Sequence, residues 1–317
     1  MVTHSESREG NVNRMSSSNP PKPGLSENHV ITVAAGYSVE QIRPFLASLQ
    51  HFAPGISLDL IVDRITPEYE KAVRGWFPQC TFHLLPPSPL RDFGLKRKWA
   101  RSILKRTVQW SGAHKFAVRL LKVNILRYLV VCDLLSSWNL PNANILLTDS
   151  RDVVFQADPF SGELPLLWTC KEDKRIDDCG FNSRAFKQAG GEAAFQQAKH
   201  HRIVCSGIIG GRSDHVLRYL QVFSQMVRVL APQFALRVGD QGIHNYLVWL
   251  RPELKFTVLP NGSIAANLAL TDPQNLIFEN DLVRLRDNPD IPGILHQYDR
   301  HPHLKALVEK RWGNARP

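Results

Sequence analysis

The chain has 317 residues, with 39 Lys and Arg against 29 Asp and Glu, for a formal charge of +10. Hydrophobic residues make up 43% and charged residues 21%, which excludes collagen-like, coiled-coil and wholly disordered chains. No run of about 18 uninterrupted apolar residues occurs, so no membrane-spanning helix is expected.

Residues 1–28 are rich in Ser, Asn and Pro and lack the apolar core of a secretory signal, and they read as a disordered polar tail. His29-Val-Ile-Thr-Val-Ala-Ala-Gly36 predicts a buried strand ending in glycine. A helix over 39–51, a strand over 58–62 ending at Asp63, a helix over 67–76 and a strand over 81–85 follow. This β-α-β-α-β alternation predicts an α/β fold, a mainly parallel central sheet with helices on both faces.

The excess charge is local. From Arg91 to Arg127 there are eleven basic residues and one acid, Asp92, and the rest of the chain is balanced. A long helix is expected over 115–138. Lys115, Arg119, Lys122 and Asp133 form one stripe of it, a solvated face. Arg127 and Asn124 fall on a side otherwise made of Leu, Ile and Val. A guanidinium on an apolar face requires an anion or several acceptors.

Further along, strands are expected over 144–149 and 153–156, an irregular polar stretch over 171–190 and a strand over 202–211 that enters a glycine turn. Helices over 214–230 and 240–250 and a short strand over 256–259 follow. The five cysteines (Cys80, Cys132, Cys170, Cys179, Cys205) are scattered, with no CxxC pair. That spacing argues against a disulfide framework or structural zinc and for a reducing, cytoplasmic setting.

Three places carry chemistry. Thr148-Asp-Ser-Arg-Asp152 directly follows an apolar strand, where parallel sheets bind ligands. Asp149 and Asp152 suit Mn²⁺ or Mg²⁺, with phosphate oxygens completing the shell; a salt-bridged Asp–Arg–Asp turn is the alternative. His296, after Ile294-Leu295, can join two carboxylates on such an ion or be a packed histidine. Cys205-Ser-Gly-Ile-Ile-Gly-Gly211 and Gly239-Asp-Gln241 permit close backbone approach but form neither GxGxxG nor a Walker A sequence. Asp240 also suits a helix cap.

Leu146-Leu-Thr-Asp-Ser-Arg-Asp-Val-Val-Phe-Gln156 resembles the DxD region of GT-A fold nucleotide-sugar glycosyltransferases. The Cys205-Ser206-Gly207 strand, the Asp240-Gln241 pair, the late His296 and Arg127 before the DxD strand are similar in order to glycogenin-type retaining transferases. Two departures stand out: the acids are spaced DxxD, and Asp299-Arg300-His301-Pro302 replaces the usual Lys-Pro-Trp after the histidine.

The resemblance implies a single GT-A-like domain over 29–317. Its nucleotide-binding half would span about 29–160 and its acceptor and sugar half about 161–317. It implies a nucleoside diphosphate-sugar donor, with Asp149, Asp152 and His296 as metal ligands for Mn²⁺ or Mg²⁺ and Arg127 facing the diphosphate or sugar. Ala34, Ala35, Gly36, Tyr37 and Asp63 would cradle base and ribose, with Ser206 and Gly207 also at the donor. Asp240 and Gln241 would contact the donor sugar or the acceptor hydroxyl. Retention of configuration is the expected outcome, and the acceptor would be a glycan, lipid-linked or protein hydroxyl.

Two other functions compete. Leu95-Lys-Arg-Lys-Trp-Ala-Arg-Ser-Ile-Leu-Lys-Arg106 has the basic and aromatic mixture of nucleic-acid sites, or of a helix lying on an anionic membrane at its cytoplasmic face. A nucleic-acid binder has no need of strand-end acids and a late histidine, which disfavours that reading. A metal-dependent nucleotidyl or phosphoryl transferase would use the same two carboxylates.

Overall fold

The structure, a computed structural model, describes residues 27–86, 121–138, 140, 142–234 and 239–317. Its first half runs β1 (Asn28–Val33), α1 (Val39–Phe52), β2 (Ser57–Val62), α2 (Pro67–Trp76), β3 (Thr81–Leu84), α3 (Val123–Ser137), β4 (Asn144–Asp149) and β5 (Val153–Phe155). Then come β6 (Leu167–Arg175), α4 (Gly180–Ala198), β7 (Arg202–Arg212), α5 (Ser213–Phe234), α6 (Asp240–Leu250) and β8 (Thr257–Leu259). The chain closes with β9 (Ala265–Asn267), β10 (Leu276–Glu279), β11 (Leu282–Leu285), β12 (Ile294–His296) and α7 (Pro302–Trp312).

The main sheet has seven strands in the order β3-β2-β1-β4-β7-β6-β8. It is parallel from β3 to β4 and again between β6 and β8, while β7 is antiparallel to both its neighbours. The period-2 alternation of its strands fills two cores. Ile31, Ile61, Ile145, Leu147 and Ile209 pack on one side with α3 and α5. Val30, Leu60, Leu146 and Ile208 pack on the other with α1 and α2. The expected α/β architecture with helices on both faces is present.

A second, three-stranded sheet, β5-β12-β9, lies beside the end of β4. In it His296 pairs with Val153 on one side and Asn267 on the other. This small sheet carries the late part of the chain back to the Asp149–Asp152 turn.

Three sequence expectations change. The stretch over 171–190 is regular: β6 runs to Arg175 and α4 starts at Gly180. The helix was obscured by Gly190-Gly191, and Gly191 (φ +81°) does kink it; Phe186, Phe195 and Ala198 bury its inner side. Helix α7 was not anticipated, although Leu304, Val308 and Trp312 recur every four residues and pack on the β5-β12-β9 sheet. The helix expected from Lys115 is described from Val123, with Lys122 at its N-cap. Lys115 and Arg119 lie outside the described residues, as do the polar tail up to residue 26 and the whole basic segment 91–106.

Midway along β2, the buried Asp59 carboxylate sits between His83 Nε2 (2.7 Å) and His29 Nδ1 (3.4 Å). Burial pushes this carboxyl up, but the two imidazoles outweigh it and hold it below its ordinary value. A lowered carboxyl stabilises the fold above its unfolded-state value near about 4, and that contribution is lost as pH falls through the folded value. Asp59→Asn is therefore expected to cost about 1–3 kcal/mol at pH 7. It should also flatten the loss of stability below about pH 4, as read by urea unfolding across pH. An unchanged acid limb would show that this cluster carries no linked protons.

Candidate active site

The parallel strands β1 and β4 end side by side, with Val33 paired to Asp149. The turn after β4 is pinned from both flanks. Ser150 Oγ donates to the Val33 carbonyl (2.6 Å), and Gln297 N donates to the Asp152 carbonyl (2.7 Å). Arg151 reaches Asp152 (3.5 Å) and Asp299 (3.1 Å). Two intervening residues thus bend back far enough for both acids to face one point.

At that point Asp149, Asp152 and His296 each place a ligating atom within 4.8 Å of the others. His296 is 1% exposed. Its Nε2 lies 3.3 Å from Asp149 Oδ2 and 3.9 Å from Asp152 Oδ1, yet makes no hydrogen bond. Gly207, on β7, forms the floor. A Cβ there would come within 2.4 Å of the His296 ring and 2.8 Å of Asp149 Oδ2. Burial together with the neighbouring Asp149 charge pushes the Asp152 carboxyl up despite His296. A buried nitrogen without a hydrogen bond, two facing carboxylates and a glycine floor fit a hard divalent cation such as Mn²⁺ or Mg²⁺.

Arg127 meets two carboxylates of the chain itself. Its Nη1 donates to Asp149 Oδ1, and its Nη2 donates to Asp240 Oδ2 (2.9 Å) and to the Ser206 carbonyl (3.1 Å). Burial opposes the guanidinium charge, but Asp149, Tyr128 and Asp240 hold it firmly protonated. Arg127 in turn offsets the burial of Asp149, and with His296 it holds that carboxyl far below the ordinary range.

Asp240 opens α6 and is fully engaged. Its Oδ1 accepts from Asn124 Nδ2 (2.7 Å), and its Oδ2 accepts from Arg127 and from Ser206 Oγ (3.2 Å). The polar pair Asn124 and Arg127 on an apolar helix face thus converges on one acid. Gln241 is fixed at both ends: its Oε1 accepts from Ser206 N (3.2 Å), and its Nε2 donates to the buried Glu172 (2.8 Å). Burial pushes the Glu172 carboxyl up.

The first-strand residues line an open cleft of about 440 Å³. Gly36, at φ +78°, turns the chain there, and its N–H donates to Asp63 Oδ1 (3.0 Å). Ala34, Tyr37 and Asp63 line the same cleft, while Ala35 packs against the helix-side core. The Val33–Ser150 hydrogen bond joins this strand end to the acidic turn.

The structure therefore brings Asp149, Asp152, His296, Arg127, Ser206, Gly207, Asp240 and Gln241 into one cluster, with Gly36, Tyr37 and Asp63 in an adjoining cleft. Sequence reading missed Glu172, Asn267 and Tyr128, whose hydroxyl donates to the Ser206 carbonyl (2.7 Å). Glu172 sat in the stretch taken as irregular. Asn267 carried no signal, because only the pairing of β9 with β12 brings it beside His296.

No protein-family model matches the chain, and no curated protein matches it. Solved structures do align with it. A galactosyltransferase, LgtC, in complex with donor and acceptor sugar analogues, is 15% identical, over 89% of this chain and 95% of that one, with a TM-score of 0.46. Core-mannan synthase A from Aspergillus fumigatus, in its Mn/GDP form, is 12% identical, over 80% of this chain and 79% of that one, with a TM-score of 0.43.

Proposed function

We propose that this protein is a metal-dependent glycosyltransferase that moves a sugar from a nucleoside diphosphate-sugar to a hydroxyl acceptor with retention of configuration. The observation that carries the proposal is the convergence of Asp149, Asp152 and His296 at the end of β4, beside the cleft at the end of β1. Asp149, Asp152 and His296 would hold Mn²⁺ or Mg²⁺. When bound, such an ion neutralises charge on a leaving diphosphate.

The chain's own residues supply the rest. Tyr37 offers a ring for the base, and Asp63 a carboxylate for ribose hydroxyls, in the cleft they share. Arg127 ties Asp149 to Asp240, so the acids beneath the donor and at the sugar end are fixed as one unit. Gln241, held by Glu172 and Ser206, presents a rigid amide beside the sugar position. Every Asp240 oxygen already accepts a hydrogen bond, which leaves it a poor general base for the acceptor hydroxyl. That supports retention, in which the protein need not supply such a base.

Among the described residues no helix is long and apolar enough to cross a membrane. We assign the basic segment 91–106 to an anionic acceptor or membrane surface, and the protein to the cytoplasm.

A ligand that binds only the folded state raises the melting temperature. UDP- and GDP-sugars are expected to do so in the presence of Mn²⁺ and not after chelation. No shift with any nucleotide sugar, together with tight, salt-sensitive binding of DNA or RNA, would replace this function with nucleic-acid binding. Mn²⁺-dependent release of pyrophosphate from nucleoside triphosphates, without turnover of nucleotide sugars, would favour the nucleotidyl transferase.

A further inference from the structure

We infer that Asn267 is a positioning residue that fixes the tautomer of His296, so that the imidazole presents a bare Nε2 to the metal position. The inference rests on the reading of Asp149, Asp152 and His296 as a metal site.

Asn267 is fully buried and pairs directly with His296 across the β9–β12 ladder. Its side-chain nitrogen faces two backbone carbonyls, those of Cys170 (3.1 Å) and Lys171 (3.3 Å). Carbonyl oxygens only accept, so the amide nitrogen must occupy that side, and Oδ1 is left facing His296 Nδ1 at 3.1 Å. The orientation of this amide follows from its partners and is not a free choice.

The backbone of Asn267 is clamped as well. Its N–H donates to Asn261 Oδ1 (2.8 Å), and its carbonyl accepts from Asn261 Nδ2 (3.1 Å) and Thr271 Oγ1 (3.2 Å). The other neighbour of Nδ1, Cys205 Sγ at 3.3 Å, itself accepts from Gly207 N at 3.4 Å. The Cys205 thiol can take either role, whereas Asn267 Oδ1 can only accept, so Nδ1 must carry the hydrogen between them. In the neutral imidazole, the lone pair then sits on Nε2, which points between Asp149 and Asp152 and makes no hydrogen bond. That side of the ring, flanked by Asp149 Oδ2 at 3.3 Å and Asp152 Oδ1 at 3.9 Å, is where a cation would lie. A partner that fixes the far nitrogen commonly contributes about 10–100-fold to metal affinity.

The test uses the full chain labelled with ¹⁵N-histidine and loaded with Mg²⁺. Long-range ¹H–¹⁵N correlation of His296 is expected to show a protonated Nδ1 and an unprotonated Nε2. In parallel, free Mn²⁺ is measured by electron paramagnetic resonance for wild type and Asn267→Leu, which keeps the volume and removes the acceptor. Mn²⁺ affinity is expected to fall by about 10–100-fold.

The inference is overturned if the metal-loaded wild type carries its proton on Nε2, whatever the variant does. It is also overturned if a folded Asn267→Leu binds Mn²⁺ as tightly as wild type. If Asn267→Leu does not fold, Asn267→Ala takes its place in the Mn²⁺ measurement, with the same loss of about 10–100-fold expected. If wild type binds no divalent ion at all, the metal site itself falls and takes this inference with it. Retained binding with the proton on Nε2 leaves Asp149 and Asp152 as ligands and removes both His296 from the donor set and the role of Asn267.

Discussion

Asp152→Ala and His296→Ala are each expected to abolish Mn²⁺-dependent turnover of nucleotide sugar, by about 10³-fold or more if the ion supplies several kcal/mol to the departing diphosphate. The two variants should differ in stability. Asp152 is a carboxylate that burial and Asp149 already disfavour, so removing it relieves repulsion in the metal-free protein. His296 is the group that separates Asp149 from Asp152, and its loss leaves a buried hole lined by two acids. Metal-free His296→Ala is thus expected to melt below wild type, and metal-free Asp152→Ala at or above it. Differential scanning calorimetry with and without Mn²⁺, beside a donor hydrolysis assay, checks both. If either variant keeps full Mn²⁺-dependent activity, that residue is not a ligand.

Gly207→Ala should be nearly as damaging, although it removes no functional group. The added methyl would enter the His296 ring at 2.4 Å from Cε1 and 2.7 Å from Nε2, and lie 2.8 Å from Asp149 Oδ2. None of these atoms can yield freely. His296 is buried and held from behind by Asn267 and Cys205, and Asp149 is held by Arg127. Overpacking of a fixed neighbourhood costs about 1–3 kcal/mol, and here the displacement falls on the donor atoms themselves. A loss of Mn²⁺ affinity of at least about 10-fold is expected on that scale, with far-UV circular dichroism unchanged. Wild-type Mn²⁺ binding in Gly207→Ala would mean that the glycine serves strand packing alone.

The legible parts of this molecule are those governed by local rules. The apolar runs of β1, β2 and β4 announce themselves because both faces of the sheet are covered, and Asp149 and Asp152 stand out by following such a run directly. Arg127 was conspicuous because a cation on a side made of Leu, Ile and Val demands an anion. Its partner was not legible. Within the chain it meets Asp149 and Asp240, and nothing in the local pattern tells a protein carboxylate from a phosphate. Glu172 and Asn267 were hidden for another reason. Each owes its position to a pairing between strands distant in the chain: Glu172 sits in a charged run, Lys171 to Lys174, and Asn267 is a lone polar residue among Ala266, Leu268 and Ala269.

The three-stranded β5-β12-β9 sheet also bears on the order in which the protein can be completed during synthesis. The seven-stranded sheet draws on residues up to Leu259, whereas His296 and its companion Asn267 arrive afterwards, on β12, which pairs with β5, and on β9, which pairs with β12. A nascent chain can assemble both faces of its main sheet while Asp149 and Asp152 still lack their imidazole. On the proposed function, metal capture is therefore a late event that reports an intact C-terminal third. A chain shortened before Ile294 would retain most of its core and both acids, yet have no complete donor set.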